Sequence, residues 1–459
     1  MYQRQFHKDA GAIAFDLRHR NTIDFNIGRY DAAVTKGKAR YGNLDTAKDT
    51  VAAIKRETLI HWEQYLLEFE KNCTALGVEI CWAIDEQEAA AHLKSIIRKH
   101  KARLIVKSKS MTTEEIALNE LALEEGCESI ETDLGEFIVQ VAGERPYHIV
   151  TPAMHKSKED IAALFHEKFG TNPEDDPVTL TRFVREMLRE KYITADIGVT
   201  GANFLVADTG SVSVTENEGN AILSTAFPTV HVVVAGIEKL IPKLEQVGLF
   251  YQVLASHGTG QQITAYNTLF TGPRKEGEYG GPEKMYIILL DNGRTKVYND
   301  DEAWEALACI RCGACLNACP VYKTIGGYTY NTTYSGPIGS VLTPFFKGFS
   351  DFSHLSYAST LCGKCVEVCP VRIPLTDILL SNRRKAVEQG LQPTSEKLAM
   401  KAFQYLASGP GRFNKIPVSL KNIVTLPLNY TGWGPMRTMP AFATASFSQQ
   451  MKKKNRKNI

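Results

Sequence analysis

Cys309, Cys312, Cys315 and Cys319, with Pro320 directly after the last, spell C-x-x-C-x-x-C-x-x-x-C-P, and Cys362, Cys365 and Cys369-Pro370 repeat its last three cysteines. No other feature constrains the fold as much, because thiolates two residues apart make a short loop wrap one inorganic cluster. The proline after the last cysteine turns the chain away, so that sulfur reaches a second cluster. Seven of the ten cysteines fall between residues 309 and 369. Structural zinc, the rival reading, closes on four ligands and has no use for a third and fourth thiolate packed into one segment. Gly313 and Gly363 carry no side chain to hold the backbone away from inorganic sulfide. The pattern predicts two iron–sulfur clusters of the 4Fe-4S type.

In paired motifs of this kind the fourth cysteine serves the other cluster. Cys309, Cys312, Cys315 and Cys369 are therefore expected to hold the first cluster, and Cys319, Cys362 and Cys365 the second. Counting back from Cys369 puts a serine, Ser359, where the repeat would have a cysteine. The sequence leaves the fourth position of the second cluster open between serine oxygen, water, a remote cysteine, a partner's atom and a three-iron cluster. Cys73, Cys81 and Cys127 stand alone and read as small buried hydrophobes.

A chain of 459 residues with 44% hydrophobic and 23% charged residues is long enough for about three domains. Its net charge of +2 argues against a dedicated nucleic-acid binder. The basic run Lys452, Lys453, Lys454, Arg456 and Lys457 reads as a solvated end. The first twenty residues scatter charges and contain no signal-like apolar core, and later apolar runs, at 232–236 and 285–290, are strand-sized. These readings predict a cytoplasmic protein that is not integral to a membrane, in a reducing compartment that suits metal-binding thiolates.

Residues 1–70 read as an N-terminal arm followed by an amphipathic helix at 45–69, with Gly37 as a break between them. Residues 71–300 alternate strand and helix patterns and predict an α/β domain. Its candidate strands lie at 78–82, 103–106, 137–142, 148–150, 204–208, 211–216, 229–235 and 285–290, with helices at 113–125 and 158–169. Thr209-Gly210 and Asn292-Gly293 read as hairpin turns, so part of the sheet is expected to be antiparallel. EGEYGGP at 276–282 reads as a surface loop. The cysteine domain spans 301–385, opens on the helix-like DEAWEALA and holds an irregular stretch at 325–339. Helix-like LTDILLSNRRKAVEQG follows, stopping at Gly390, and 386–459 form a C-terminal extension whose role is not readable.

Outside the cysteines, Thr112-x-x-Glu115 reads as a capping box, and a helix start near Lys107 and Lys109 offers an anion site. GVTGANFLVADTGSVSVTENEGN, with Asp208, Glu216 and Glu218 at strand ends and turns, reads as turn chemistry, with a ligand pocket as the alternative. His148, His155, His231 and His257 show no metal spacing and read as structural. GTGQQ at Gly258 lacks the third glycine of a dinucleotide loop, and no Walker sequence occurs. Clusters without a visible hydride-accepting cofactor suit one-electron transfer beside a catalytic subunit.

KSKSMTTEEIALNELALEEG, ETDLGEFIVQ, TGANFLVADTGSVSVTENEGN, TLFTGPR, CIRCGACLNACPVY and STLCGKCVEVCPVRIP together resemble the bacterial lactate-utilisation iron–sulfur proteins of the LutB type, over most of the chain. The resemblance implies an α/β LUD domain, similar to the sugar-phosphate isomerase and CoA-transferase group, then a mainly helical two-cluster ferredoxin-type domain. It further implies an electron carrier in a three-protein system that oxidises L-lactate to pyruvate, with a cysteine-rich subunit and a second LUD protein as partners. The family's cluster ligands map onto Cys309, Cys312, Cys315, Cys319, Cys362, Cys365 and Cys369, and its STLCGKC form includes Ser359. It gives no catalytic residue for the LUD domain. A LUD-domain enzyme acting on an anionic metabolite, with structural or sensing clusters, is the alternative.

Overall fold

The computed structural model describes residues 2–430 and 440–457. The TGWGP stretch at 431–435, in the C-terminal extension, lies outside them. By chain contacts the protein divides into two units, Met1–Ala386 and Val387–Ile459.

The centre of the first unit is a six-stranded parallel sheet. Its strands are β1 (Glu79–Ala83), β2 (Leu104–Lys107), β3 (Glu128–Glu131), β4 (Ile197–Thr200), β7 (Val230–Gly236) and β10 (Lys284–Leu290), in the order β1-β10-β7-β4-β2-β3. A second sheet, of β5 (Phe204–Val206), β6 (Ser211–Glu216), β8 (Leu240–Ile241) and β9 (Tyr266–Phe270), runs β8-β5-β6-β9 and is mixed. β7 is buried at every position, as an unbroken apolar run should be in the middle of a parallel sheet. Alternation sorts its side chains. Val230, Val232 and Val234 pack with Leu93, Ile96 and Ile97 of helix Glu86–His100. Val233 and Ala235 face a larger core shared with the second sheet, the N-terminal helices and the cysteine segment.

Several expectations fail, each for a local reason. The stretch at 137–142 belongs to helix Leu134–Val141, started by Asp133, whose carboxylate accepts from the Glu136 amide at 3.1 Å. A short apolar run does not distinguish the two states by period alone. At 148–150 there is no strand, because His148 Nδ1 accepts from the amides of Val150 (3.0 Å) and Thr151 (3.2 Å), which takes the donors a ladder would use. Thr209-Gly210 does join antiparallel strands. Asn292 and Gly293, at φ of 42° and 90°, instead lead from a strand with parallel neighbours into helix Arg294–Tyr298. The helix expected at 113–125 is split into Met111–Glu115 and Leu118–Glu124 at Ala117, whose φ is 50°. Its cap is Ser110 rather than Thr112.

The N-terminal arm is helical over Tyr2–Ile13 and Leu17–Lys38, with Ile23 and Ile27 in the main core. Gly37 lies inside the second of these helices. A Cβ there would come within 2.4 Å of the Gly260 carbonyl oxygen, so its role is close approach rather than chain breaking. The helix expected at 45–69 is broken at His61 into Leu44–Ile60 and Trp62–Ala75. Lys55 of the first piece donates to the carbonyls of Glu238 (2.7 Å) and Leu240 (2.9 Å), and Lys48 to that of Glu367 (2.9 Å). This one helix thereby ties the α/β part to the cysteine segment. DEAWEALA forms a 3-10 turn, Trp304–Ala308. The stretch at 325–339, expected to be irregular, instead holds the 3-10 turn Tyr328–Tyr330 and, from 336 onward, the start of helix Gly336–Lys347, ten of whose residues are buried.

The second unit contains helices Thr394–Ala407, Pro410–Lys415, Val418–Thr425 and Phe447–Lys457.

Candidate metal centre

The two cysteine motifs are one backbone design used twice. Cys309 opens the first loop, Arg311 takes φ 61°, and Gly313 (φ 77°) starts helix Ala314–Ala318, after which Cys319 leaves at φ −80°, ψ 119°. In the second, Leu361 takes φ 55° and Gly363 (φ 81°) starts helix Lys364–Val368. Cys369 then leaves at φ −66°, ψ 120°. The Arg311 amide donates to Cys309 Sγ at 3.4 Å, and the Leu361 amide donates to Ser359 Oγ at 3.1 Å. Ser359 therefore occupies the geometric place of Cys309. At Gly313 the left-handed φ is reinforced by crowding, since a Cβ would lie 2.9 Å from Val150 and 3.1 Å from His148. Gly363 has open space, so backbone conformation alone demands it.

Cys309, Cys312, Cys315 and Cys369 line one small apolar cavity of about 20 Å³, walled by Ile310, Ile338, Val371, Ile373 and Leu375. Burial pushes the Cys312 thiol up to about 12 and the Cys369 thiol up to about 11, and neighbouring motif thiolates add to both shifts. Cys315 is raised by burial and then by Cys309, Cys312 and Cys369. Four sulfurs around one apolar pocket, three of them with raised pKa values, are a donor set suited to a cationic centre. The Ile373 amide donates to Cys369 Sγ at 3.4 Å, giving this pocket a second N–H···S contact.

The remaining three form a separate group. Burial raises Cys365 to about 11, followed by the charges of Cys319 and Cys362. Burial likewise raises Cys319. Cys362 is exposed, and the Lys364 amide and Thr360 hydroxyl lower its pKa. The first group is enclosed, whereas the second reaches the surface. Among the described residues no three His, Cys, Asp or Glu side chains converge on a single ion. Sulfurs distributed over several irons have no need to meet at one point. Cys73 is buried with Sγ donating to the Gly210 carbonyl, Cys127 is buried in the opposite core and Cys81 is half-buried, so none joins either group.

A cavity of about 370 Å³ adjoins the first group, with Cys312 in its wall. It joins two segments singled out by sequence: Lys109 with Ser108 and Ser110, and Asn203 with Glu216, Glu218 and Asn220. Lys107 is not part of it. That lysine is fully buried against Glu131 (2.7 Å), Glu114 (3.3 Å) and Glu136 (3.5 Å), so it is not available as an anion site. Asp208 is also elsewhere, accepting from the Leu244 amide at 3.1 Å. Glu216 accepts from the amides of Ala221 (2.6 Å) and Ile222 (3.0 Å), while burial raises Glu218 to about 7. Sequence reasoning missed Tyr30, Asp133, Lys239, Arg311 and Tyr334 in this wall. Only Arg311 carried a signal, its place inside CIRC. Burial drives His148, His231 and His257 down to about 3, which keeps them neutral. His155 pairs with Glu144 at 2.8 Å.

The LUD domain family matches residues 66–290, and the 4Fe-4S dicluster domain family matches residues 305–373. Fold and site together define an iron–sulfur protein in which a LUD α/β domain precedes a helical ferredoxin-type domain. Lactate utilization protein B of Bacillus cereus (strain AH820) and that of Bacillus thuringiensis (strain Al Hakam) are each 44% identical to the chain over 374 residues, covering 81% of it and 79% of the relative. The chain belongs to the lactate utilization protein B family. A crystal structure of a DUF162 family protein from Deinococcus radiodurans aligns at 16% identity with a TM-score of 0.27, over 50% of this chain and 98% of its own.

Proposed function

We propose that the chain is the electron-transfer subunit of an L-lactate-oxidising system and serves lactate utilisation in the cytoplasm. Two 4Fe-4S clusters would supply one-electron redox chemistry. Cys309, Cys312, Cys315 and Cys369 would hold the first, and Cys319, Cys362 and Cys365 the second, with Ser359 at its fourth position. The single observation that carries this reading is the asymmetry of the two thiol groups, one enclosed beside the large cavity and the other open to solvent at Cys362. An electron carrier needs a protected centre and a surface a partner can approach. The proposed partners are a cysteine-rich subunit and a second LUD protein. Apolar side chains around the first group would keep water from a bound cluster, and the Arg311 and Ile373 amides, which donate to Cys309 and Cys369 Sγ, would stabilise its sulfur charge and so tune its potential. No helix among the described residues is long and apolar enough to cross a membrane.

The test is anaerobic purification with iron and acid-labile sulfide analysis, followed by addition of L-lactate with the two partners. Iron, sulfide and lactate-dependent bleaching are expected. Zinc without sulfide, or clusters that stay oxidised with lactate and both partners, would overturn the proposal.

A further inference from the structure

The cavity beside Cys312 contains charges that the electron-carrier reading does not use. Lys239, in the 3-10 turn Ile237–Lys239, is only 7% exposed and lines that cavity. Among the described residues its ammonium makes no hydrogen bond or salt bridge, although a buried cation costs several kcal/mol unless it is paired. Lys109, also in the lining, likewise makes no hydrogen bond or salt bridge among the described residues. Arg311 adds a third cation. Its Nη2 reaches Glu238 at 3.2 Å and its guanidinium lies 4.4 Å from the centre of the Tyr334 ring, but Nε and Nη1 are buried without acceptors.

Asp133 and Glu218 act on Lys109, and Glu238 on Lys239, through charge at a distance, but among the described residues no carboxylate is in direct contact with either ammonium. Glu216 is occupied by two amides, Glu218 accepts from the Leu134 amide at 3.1 Å, and Asp133 caps the helix that follows it. Donors without a direct acceptor therefore remain in the wall of a cavity whose volume lies in the range, roughly 300–1,000 Å³, of small-molecule sites. We infer that this cavity binds a small oxyanion, a carboxylate or a phosphate, held by Lys239 and Lys109 with Arg311 behind them. The hydroxyls of Ser110 and Thr112 and the Asn220 amide line the remainder and suit a polar body. The bound anion would stand against the loop that carries Cys312, so its charge would be felt at the first thiol group.

This site stands whether or not the chain carries electrons, and calorimetry tests it separately from metal analysis. The anaerobically purified full chain is titrated with L-lactate, pyruvate and inorganic phosphate. Saturable binding of at least one is expected, and the arm that saturates separates a carboxylic acid from a phosphorylated ligand. Lys239→Met and Lys109→Met should each weaken binding by about tenfold or more. Lys158→Met, at an exposed side chain outside the cavity lining, should bind as the unaltered chain does. Because the two lysines lie on different elements, Lys109→Met remains a test if Lys239→Met fails to fold. The electron paramagnetic resonance line shape of the reduced chain should also shift on saturation. Absence of binding by all three probes, or folded lysine variants that bind undiminished, would overturn the inference.

Discussion

At the scale of single residues, the equivalence of Ser359 and Cys309 rests on one matched hydrogen bond and a matched left-handed turn two residues on. A second residue-scale feature is the fully buried Arg294, which donates to Glu115 at 2.7 Å and also to Glu238. Tyr334 donates to the same Glu115, so α/β and cysteine-domain side chains share one network. Replacing Arg294 by Met would leave buried carboxylates unpaired and should cost about 3–5 kcal/mol, read as a lower urea midpoint. Burial alone would raise Glu238, but Arg294, Arg311 and Lys239 hold it down to about 2. The cysteines and Ser359 were legible because ligand spacing is local in sequence. Glu238, Lys239 and Arg294 were not, because their meaning depends on partners far away along the chain.

At the scale of elements, the close crossing of helix Leu17–Lys38 and the turn after helix Val247–Gly258 depends on two glycines. Gly37→Ala would push a Cβ to 2.4 Å from the Gly260 carbonyl oxygen. Overpacking of this kind should cost about 1–3 kcal/mol and lower the melting temperature, with the cysteine ligand loops themselves intact. Strongly patterned elements could be read from sequence, as with β6 at Ser211–Glu216 and helix Lys158–Phe169. Others lacked a deciding signal. β3 is four residues of largely polar sequence at a sheet edge, and β4 is equally short. Helix Leu134–Val141 was lost to a strand reading because its apolar run fits both periods and the deciding cap, Asp133, stands one residue before it. The N-terminal helices have weak intrinsic patterns and gain their order from burial of residues such as Ile23 and Ile27.

For the whole molecule, acid should be destabilising in two overlapping windows. Above 6.5, His231 and His257 are neutral both folded and unfolded and contribute no slope. As pH falls from 6.5 towards 3, the unfolded chain takes protons that these buried rings refuse, so stability declines. Glu238 acts in the same direction lower down. Its contribution is complete above 4.5 and is lost as pH falls through about 2. Urea midpoints should therefore be lower near pH 5 than near pH 7. On the same scale, the four-thiol group is enclosed beside the large cavity and the three-thiol group opens to solvent at Cys362, so the two proposed centres are unequal. The most direct measurement is electron paramagnetic resonance, with iron and sulfide analysis, on the anaerobically purified chain and on Ser359→Cys. Inequality of the two centres predicts two distinguishable iron–sulfur signals, of which only the second changes in the variant, with any three-iron signal converting to a four-iron one. A variant spectrum identical to the original, or a change in both signals alike, would contradict it.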